Sequence, residues 1–252
     1  MRLLVIDGNS ILNRAFYGIK LLTTKDGRYT NGIYGFMNIF HRLLEDCKPD
    51  RVAVAFDVKA PTFRHEMYPE YKGTRSETPQ LVIDSLEPLT ELCTAMGFPV
   101  LMIKGFEADD VIGSMAKRAE KEGFEVYMAT PDKDYGQLVT ENIWMSRPRH
   151  TGGFEKLGPQ EVCEKYGLQN QSQVIDLLGL MGDSSDNIPG CKGVGEKTAI
   201  QLLNQFGSID NLLANTDKLK GALQRKVQEH VEEIRFSRFL ATIKTDVPIE
   251  FD

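Results

Sequence analysis

Four short apolar runs, each followed closely by one or more carboxylates, set the strongest limit on how this chain can fold. Residues 3–6, 52–56, 100–103 and 126–129 are short, rich in branched or apolar side chains, and read as strands. Between them, apolar residues recur at helical spacing: Ile33, Phe36, Met37, Phe40, Leu43 and Leu44, then Val82, Leu86, Leu89, Leu92, Cys93 and Met96, then Val111, Ile112, Met115 and Ala119. Strands alternating with helices predict an α/β fold with a mostly parallel central sheet and helices on both faces. Beyond about residue 160 the strand pattern stops and helical patterns follow, the last carrying Leu219, Ala222, Leu223, Val227, Val231 and Ile234. The expected organisation is an α/β domain over residues 1–160 and a smaller helical subdomain over 161–252. Residues 59–79, with Pro61, Pro69 and Pro79, are too long for an ordinary connection and are expected to form a functional excursion or a lid.

In an open parallel sheet the carboxyl ends of the strands form the binding crevice. Asp7 follows the first run and Asp57 the second; Glu107, Asp109 and Asp110 follow the third; Asp132 and Asp134 follow the fourth. Asp183 and Asp186, three apart, are expected on one face of a later helical turn. A single acid between strand and helix is ordinarily an N-cap. Many converging on one crevice repel each other, and each needs a counter-charge. Oxygen-only ligands favour Mg²⁺ or Mn²⁺. Two such ions can activate water and offset charge on a leaving phosphodiester oxygen. The acids therefore point to phosphoryl chemistry, without choosing between a nuclease and a small-molecule phosphohydrolase.

Composition neither favours nor excludes a polyanionic partner. The formal net charge is −6, and setting the nine acids aside turns it into +3. The four cysteines (Cys47, Cys93, Cys163 and Cys191) are scattered, which suits a reduced protein without structural zinc. His41, His65, His150 and His230 lie outside the acidic motifs. With no apolar run of membrane-spanning length and no signal-peptide pattern, the expected location is the cytoplasm, with no membrane partner.

Two further features bear on the choice of substrate. The excursion interleaves Arg64, Tyr68, Tyr71, Lys72 and Arg75, a mixture that suits single-stranded nucleic acid but also an ordinary solvated loop. The segment Gly190-Cys-Lys-Gly-Val-Gly-Glu-Lys-Thr-Ala199, between two helical patterns, looks like a helix-hairpin-helix over about 183–206. Its glycines permit close backbone approach, its second helix offers an N-terminus to a phosphate, and Lys192 and Lys197 add positive charge. A glycine cap followed by a new helix is the plainer alternative. The spacing does not fit a nucleotide P-loop.

Taken together, Val5-Ile-Asp-Gly-Asn-Ser10, Ala55-Phe-Asp57, Phe63-Arg-His-Glu66, Tyr71-Lys72 with Arg75, Gly105-Phe-Glu-Ala-Asp-Asp110, Asp132-Lys-Asp134, Gly182-Asp-Ser-Ser-Asp-Asn-Ile-Pro-Gly190 and Gly193-Val-Gly-Glu-Lys-Thr-Ala199 give a specific pattern. It resembles the 5′ nuclease (flap endonuclease) superfamily, and within it the 5′→3′ exonuclease domains of bacterial DNA polymerases I. The resemblance implies a PIN-like fold and two neighbouring metal sites. Asp7, Asp57, Glu107, Asp109 and Asp110 match the acids of the first site and part of the second; Asp132, Asp134, Asp183 and Asp186 match those that complete the second. It implies that residues 59–79 belong to an arch or clamp, with Lys72 and Arg75 near the scissile phosphate, Tyr71 at a base-stacking position and Arg14 on a phosphate. The hairpin, through Gly190, Lys192, Gly193, Gly195, Lys197 and Thr198, would grip duplex DNA, with K⁺ on the backbone carbonyls of Gly190, Cys191 and Val194. The implied activity is Mg²⁺-dependent cleavage (Mn²⁺ as an alternative) near 5′ ends of flapped, nicked or branched DNA in replication and repair. The implied setting is a monomer working in the bacterial nucleoid with an attached or separate DNA polymerase. A non-catalytic junction-binding module and a phosphohydrolase of the Asp-x-Asp type are the rivals.

Overall fold

The computed structural model describes residues 1–149 and 153–250; His150 lies outside them. The chain runs β1 (Arg2–Asp7), α1 (Gly8–Gly18), α2 (Asn31–Cys47), β2 (Arg51–Ala55), α3 (Phe63–Met67), α4 (Gln80–Ala95), β3 (Val100–Leu101), α5 (Ala108–Lys121) and β4 (Glu125–Ala129). A 3₁₀ turn over Lys133–Leu138 leads to β5 (Ile143–Pro148) and β6 (Phe154–Leu157). The helices α6 (Pro159–Tyr166), α7 (Gln173–Met181), α8 (Glu196–Phe206), α9 (Ile209–Ala214), α10 (Gly221–Glu229) and α11 (Val231–Ala241) complete it.

The six strands lie in the order β3-β2-β1-β4-β5-β6, parallel except for β6. Alternation along β1 explains why Leu3, Leu4, Val5 and Ile6 are all apolar. Leu3 and Val5 enter one core with Val111, Ile112 and Met115 of α5, while Leu4 and Ile6 enter the other with Ile11, Leu12, Phe36 and Phe40 of α1 and α2. A parallel strand buried on both faces reads as an unbroken apolar run. The chain steps outward from β1 to β2 and β3, then crosses by α5 to β4 on the far side of β1. The crevice at the carboxyl ends of β1 and β4 is therefore the switch point where such sheets bind ligands. The mostly parallel sheet with helices on both faces agrees with the sequence reading.

Several local expectations change. β3 is only two residues long, and after Leu101 the chain bends away toward the crevice through Gly105, whose φ of 90° suits glycine. β5 and β6 were not expected from the sequence. The apolar run over 219–234 is two helices, broken at His230, whose Nδ1 lies 2.8 Å from the Lys226 carbonyl. Residues 63–75 are folded down onto the acids, with Arg64 only 1% and Tyr71 3% exposed, and do not stand clear as a lid. Asp183 and Asp186 lie in a turn closed by a bridge between Asp183 and Ile188, not on a helix.

The helices after β6 share the core of the α5 face. Gly179 lets α7 meet α11 closely: a Cβ there would lie 2.9 Å from the Arg238 Cβ. Past α11 the chain returns across α5, where the Val247 amide donates to Ser114 Oγ at 2.9 Å. Among the described residues no helix is long and apolar enough to cross a membrane.

Candidate active site

Each acid is placed by the backbone element that it terminates or starts. Asp7 ends β1 and caps α1, accepting from the Ser10 amide at 3.0 Å; its second oxygen accepts from Thr130 Oγ1 at 3.0 Å and from the Tyr135 hydroxyl at 3.3 Å. Asp57, just past β2, accepts from the Ala108 amide at 2.7 Å, and its own amide donates to Asn9 at 2.8 Å. Glu107 is the N-cap of α5. Asp109 accepts from the Asp110 amide at 2.7 Å, and Asp132, capping the 3₁₀ turn, accepts from the Asp134 amide at 3.0 Å. These caps satisfy helix-start N–H groups, as the plainer reading of each acid required. They also aim the set at one place. Asp7, Asp57, Glu107, Asp109 and Asp132 line a pocket of about 190 Å³, facing Lys72 and Arg75.

Electrostatics divides the acids into two groups. Asp7, Asp57, Asp109 and Asp132 take only neutral donors among the described residues. Burial, with Asp57 nearby, pushes Asp7 up to about 6. Burial also raises Asp57, and burial with Glu107 and Asp110 alongside raises Asp109 well above the ordinary aspartate range. Asp134 is pushed up to about 7 by burial and by Asp132; its Oδ1 accepts no hydrogen bond, although Lys133 Nζ lies 3.5 Å away. The remaining acids hold cations: Glu107 pairs with Arg64 and Lys72, Asp110 with Arg64, Asp186 with Arg75, and Asp183 with Lys133. Burial works against the charge on Glu107, but Lys72 and Arg64 outweigh it and hold its pKa below the usual range. Lys133 and the amides of Ser185 and Asp186 do the same for Asp183 against its burial.

An oxygen-only donor set in which Asp7, Asp57 and Asp109 are shifted toward protonation, together with the unpaired Oδ1 of Asp134, fits a hard divalent cation. It offers nothing to a softer metal, since no histidine or cysteine lines the pocket.

The other expected site residues fall in three places. Lys72 and Arg75 are beside the acids; Lys72 has a left-handed backbone, φ 57°, unusual for a side chain of this kind. Tyr71 is buried beneath the pocket, its hydroxyl 3.1 Å from Glu107 and 3.2 Å from Asp186, so no base can reach its ring in this conformation. Arg14 lies on α1 at the edge of a neighbouring groove and donates to the Arg149 carbonyl at 3.0 Å. In the hairpin, Gly190 and Gly193 have φ values of 63° and 78°, Gly195 caps α8, Lys192 and Lys197 are exposed, and Thr198 is half-buried. The Cys191 carbonyl accepts from the Val194 amide at 2.9 Å, and Gly193 accepts from Lys226 at 3.2 Å. Sequence reasoning gave no role to Asn9, Thr130, Lys133 or Tyr135, and treated Arg64 only as part of a cationic run. Lys133, lying between two motif acids, is the one whose position could have signalled it.

Two sequence families match the chain: "5′-3′ exonuclease, N-terminal resolvase-like domain" over residues 2–167, and "5′-3′ exonuclease, C-terminal SAM fold" over residues 169–252. The chain is 46% identical to DNA polymerase I of Bacillus subtilis (strain 168) over 251 residues, covering 99% of this chain and 28% of that protein. It is 43% identical to the thermostable DNA polymerase I of Thermus aquaticus, covering 100% of this chain and 29% of that protein. The chain thus spans under a third of the length of these curated relatives. Its fold is that of the T5 D15 protein co-crystallised with metal ions (TM-score 0.82, 21% identity, 97% of this chain and 90% of that one). The catalytic core of Rad2 in complex with DNA substrate shares it more distantly (TM-score 0.60, 18% identity, 97% of this chain and 79% of that one). With family matches covering nearly every residue and the acids gathered at the switch point of the sheet, the chain belongs to the 5′-3′ exonuclease family.

Proposed function

We propose that this chain hydrolyses phosphodiester bonds near the 5′ ends of flapped, nicked or branched DNA, leaving a 5′-phosphate, with Mg²⁺ as its working metal and Mn²⁺ as a substitute. The observation that carries this reading is the convergence of Asp7, Asp57, Glu107, Asp109 and Asp132 on one small pocket opposite Lys72 and Arg75. A carboxylate pocket alone would suit any phosphoryl transfer. The adjacent cations and the exposed lysines of the hairpin favour a polymeric anion as substrate.

The five pocket acids would hold the ions, with Asp134, Asp183 and Asp186 completing the set once Lys133 and Arg75 let go of them. When bound, divalent cations supply the charge that activates water and offsets the negative charge growing on the leaving oxygen. The chain's own residues do the rest. Lys72 and Arg75, which pair with Glu107 and Asp186, would turn to the scissile phosphate and stabilise the transition state. Arg14 takes a neighbouring phosphate. The hairpin amides at Gly190, Gly193 and Gly195, with Lys192, Lys197 and Thr198, hold the duplex by its backbone and fix register without reading sequence. A K⁺ ion on the carbonyls of Gly190, Cys191 and Val194 would strengthen that grip. The relatives are DNA polymerases I. Action beside an attached or separate polymerase in the bacterial cytoplasm, as a monomer, follows as part of this reading.

The test is cleavage of an end-labelled 5′-flap duplex in Mg²⁺ and in chelator by the parent chain and by Asp109→Asn. Metal-dependent release of 5′-phosphorylated product, lost in the variant, is expected. Equal cleavage in chelator, or binding without turnover under every divalent ion, would sink the reading.

A further inference from the structure

Asp110 differs from its neighbours in the acidic set. It is fully buried and does not line the pocket that Asp7, Asp57, Glu107, Asp109 and Asp132 share. Its Oδ1 accepts from Arg64 at 2.8 Å and from the Lys244 amide at 2.8 Å; its Oδ2 accepts from Arg64 at 2.7 Å and from the Glu107 amide at 3.2 Å. A carboxylate has about four lone-pair directions. All four are taken here, so Asp110 has none left for a cation although it lies close to Glu107 and Asp109.

Arg64 is saturated in the same way. A guanidinium has five N–H donors. Those of Arg64 go to both oxygens of Asp110, to Glu107 Oε2 at 2.7 Å, and to the carbonyls of Leu240 at 2.9 Å and Thr242 at 2.8 Å. Glu107 Oε2 is thus held by Arg64 and by the Tyr71 hydroxyl at 3.1 Å, while among the described residues Oε1 meets only Lys72, at the pocket. One oxygen of the ligand is fixed from behind and the other is left to the site.

We infer that Asp110 is a positioning residue and not a metal ligand: with Arg64 it sets the orientation of Glu107 and ties it to residues 240–244, the end of α11 and the segment that follows it. This rests on the reading of Glu107 and Asp109 as metal ligands. It explains why a fully buried arginine stands among the acids: Asp110 offsets its charge, and the pair acts as one rigid bracket. Partners that orient a ligand commonly change metal affinity about 10–100-fold when removed.

The experiment measures Mn²⁺ binding to the full chain by calorimetry, giving both the number of ions and their affinity. Asp109→Asn is expected to lose an ion. Asp110→Asn is expected to keep the parent's number and bind about tenfold more weakly. Arg64→Met combined with Asp110→Asn is expected to be no weaker than the worse single variant, since the two act as a unit. Loss of an ion in Asp110→Asn, or additive losses in the double variant, would overturn the inference. Should Arg64→Met fail to fold, Arg64→Lys, with fewer donors but the same charge, must keep the ion number and weaken affinity. A parent that binds no Mn²⁺ would bring down the metal reading of the site and this inference together, whereas a lost ion in Asp110→Asn alone brings down only the inference.

Discussion

Lys72 is joined to Asp186 twice, by its backbone amide to the Asp186 carbonyl at 2.9 Å and by its ammonium, 3.8 Å from the Asp186 carboxylate. The first contact holds a left-handed backbone in place; the second is a loose ion pair that a better partner can break. The ammonium also meets Glu107, whose carboxylate shares the Tyr71 hydroxyl with Asp186. Burial alone would lower the Lys72 pKa, yet Glu107, Asp109 and Asp186 raise it, so the side chain stays charged. Lys72→Met is therefore expected to lower single-turnover cleavage by roughly 10²–10³-fold, the scale for losing one transition-state donor. It should leave Mn²⁺ binding equal or tighter, because a competing cation has gone. A matched fall in metal affinity and rate would show that Lys72 serves the acids and not the phosphate.

The pH response of the metal-free chain has a sign fixed by its buried aspartates. An unfolded aspartate ionises near 3.9. Asp7 ionises at about 6 and Asp134 at about 7 in the folded chain. Between about pH 4 and 7 the folded state therefore carries more protons than the unfolded one, and its stability falls as pH rises. A divalent cation removes the cost by pairing with the ionised groups. The rise in Tm on adding Mg²⁺ over chelator should be larger at pH 7.5 than at pH 5. An increment that is equal at both values, or larger at pH 5, would contradict this account.

Legibility in the sequence follows the range of the interactions. The strands β1, β2 and β4 were readable because burial on both faces removes polar residues, and the acids that follow them were readable because the strand ends leave the core. β5 and β6 were not, since Ile143–Pro148 and Phe154–Leu157, the last two strands on one side of the sheet, mix polar and apolar residues, and pairing, not composition, sets them as strands. Nothing local marks Arg64 as buried: its partners Leu240 and Thr242 lie 176 and 178 residues away. Tyr71 stands in a cationic, aromatic stretch that reads as exposed, yet its hydroxyl is committed to Asp186, 115 residues on. The break at His230 is hidden because the apolar spacing of α10 runs on into α11.

The turn before the hairpin depends on two glycine backbones lying in contact. A Cβ on Gly190 would fall 2.3 Å from the Gly182 amide nitrogen, and its φ of 63° already disfavours a side chain. Gly190→Ala should destabilise the chain by at least roughly 1–3 kcal/mol, the usual cost of overpacking, since backbone cannot swing aside. It should also displace Asp183 and Asp186, which lie within the same turn. Chemical denaturation gives the first effect and Mn²⁺ affinity the second; an unchanged midpoint would mean that the turn is looser than this packing requires.

Lys192 and Lys197 are exposed and, unlike Lys72 and Arg75, do not line the acidic pocket. Neither forms an ion pair among the described residues, so no described carboxylate competes for them. If each meets one phosphate of a duplex, binding releases one counterion per lysine, and the slope of log affinity against log salt should shrink by about 1 in Lys192→Ala and again in Lys197→Ala. The loss should be the same for duplexes of different sequence, because a backbone contact carries no base information. Cleavage at saturating DNA should stay within a few-fold of the parent, since neither lysine lines the acidic pocket. Fluorescence anisotropy of a labelled flap duplex over a salt series decides the matter. Weaker binding with an unchanged slope would assign these lysines to the folding of the hairpin and leave the duplex to be held elsewhere.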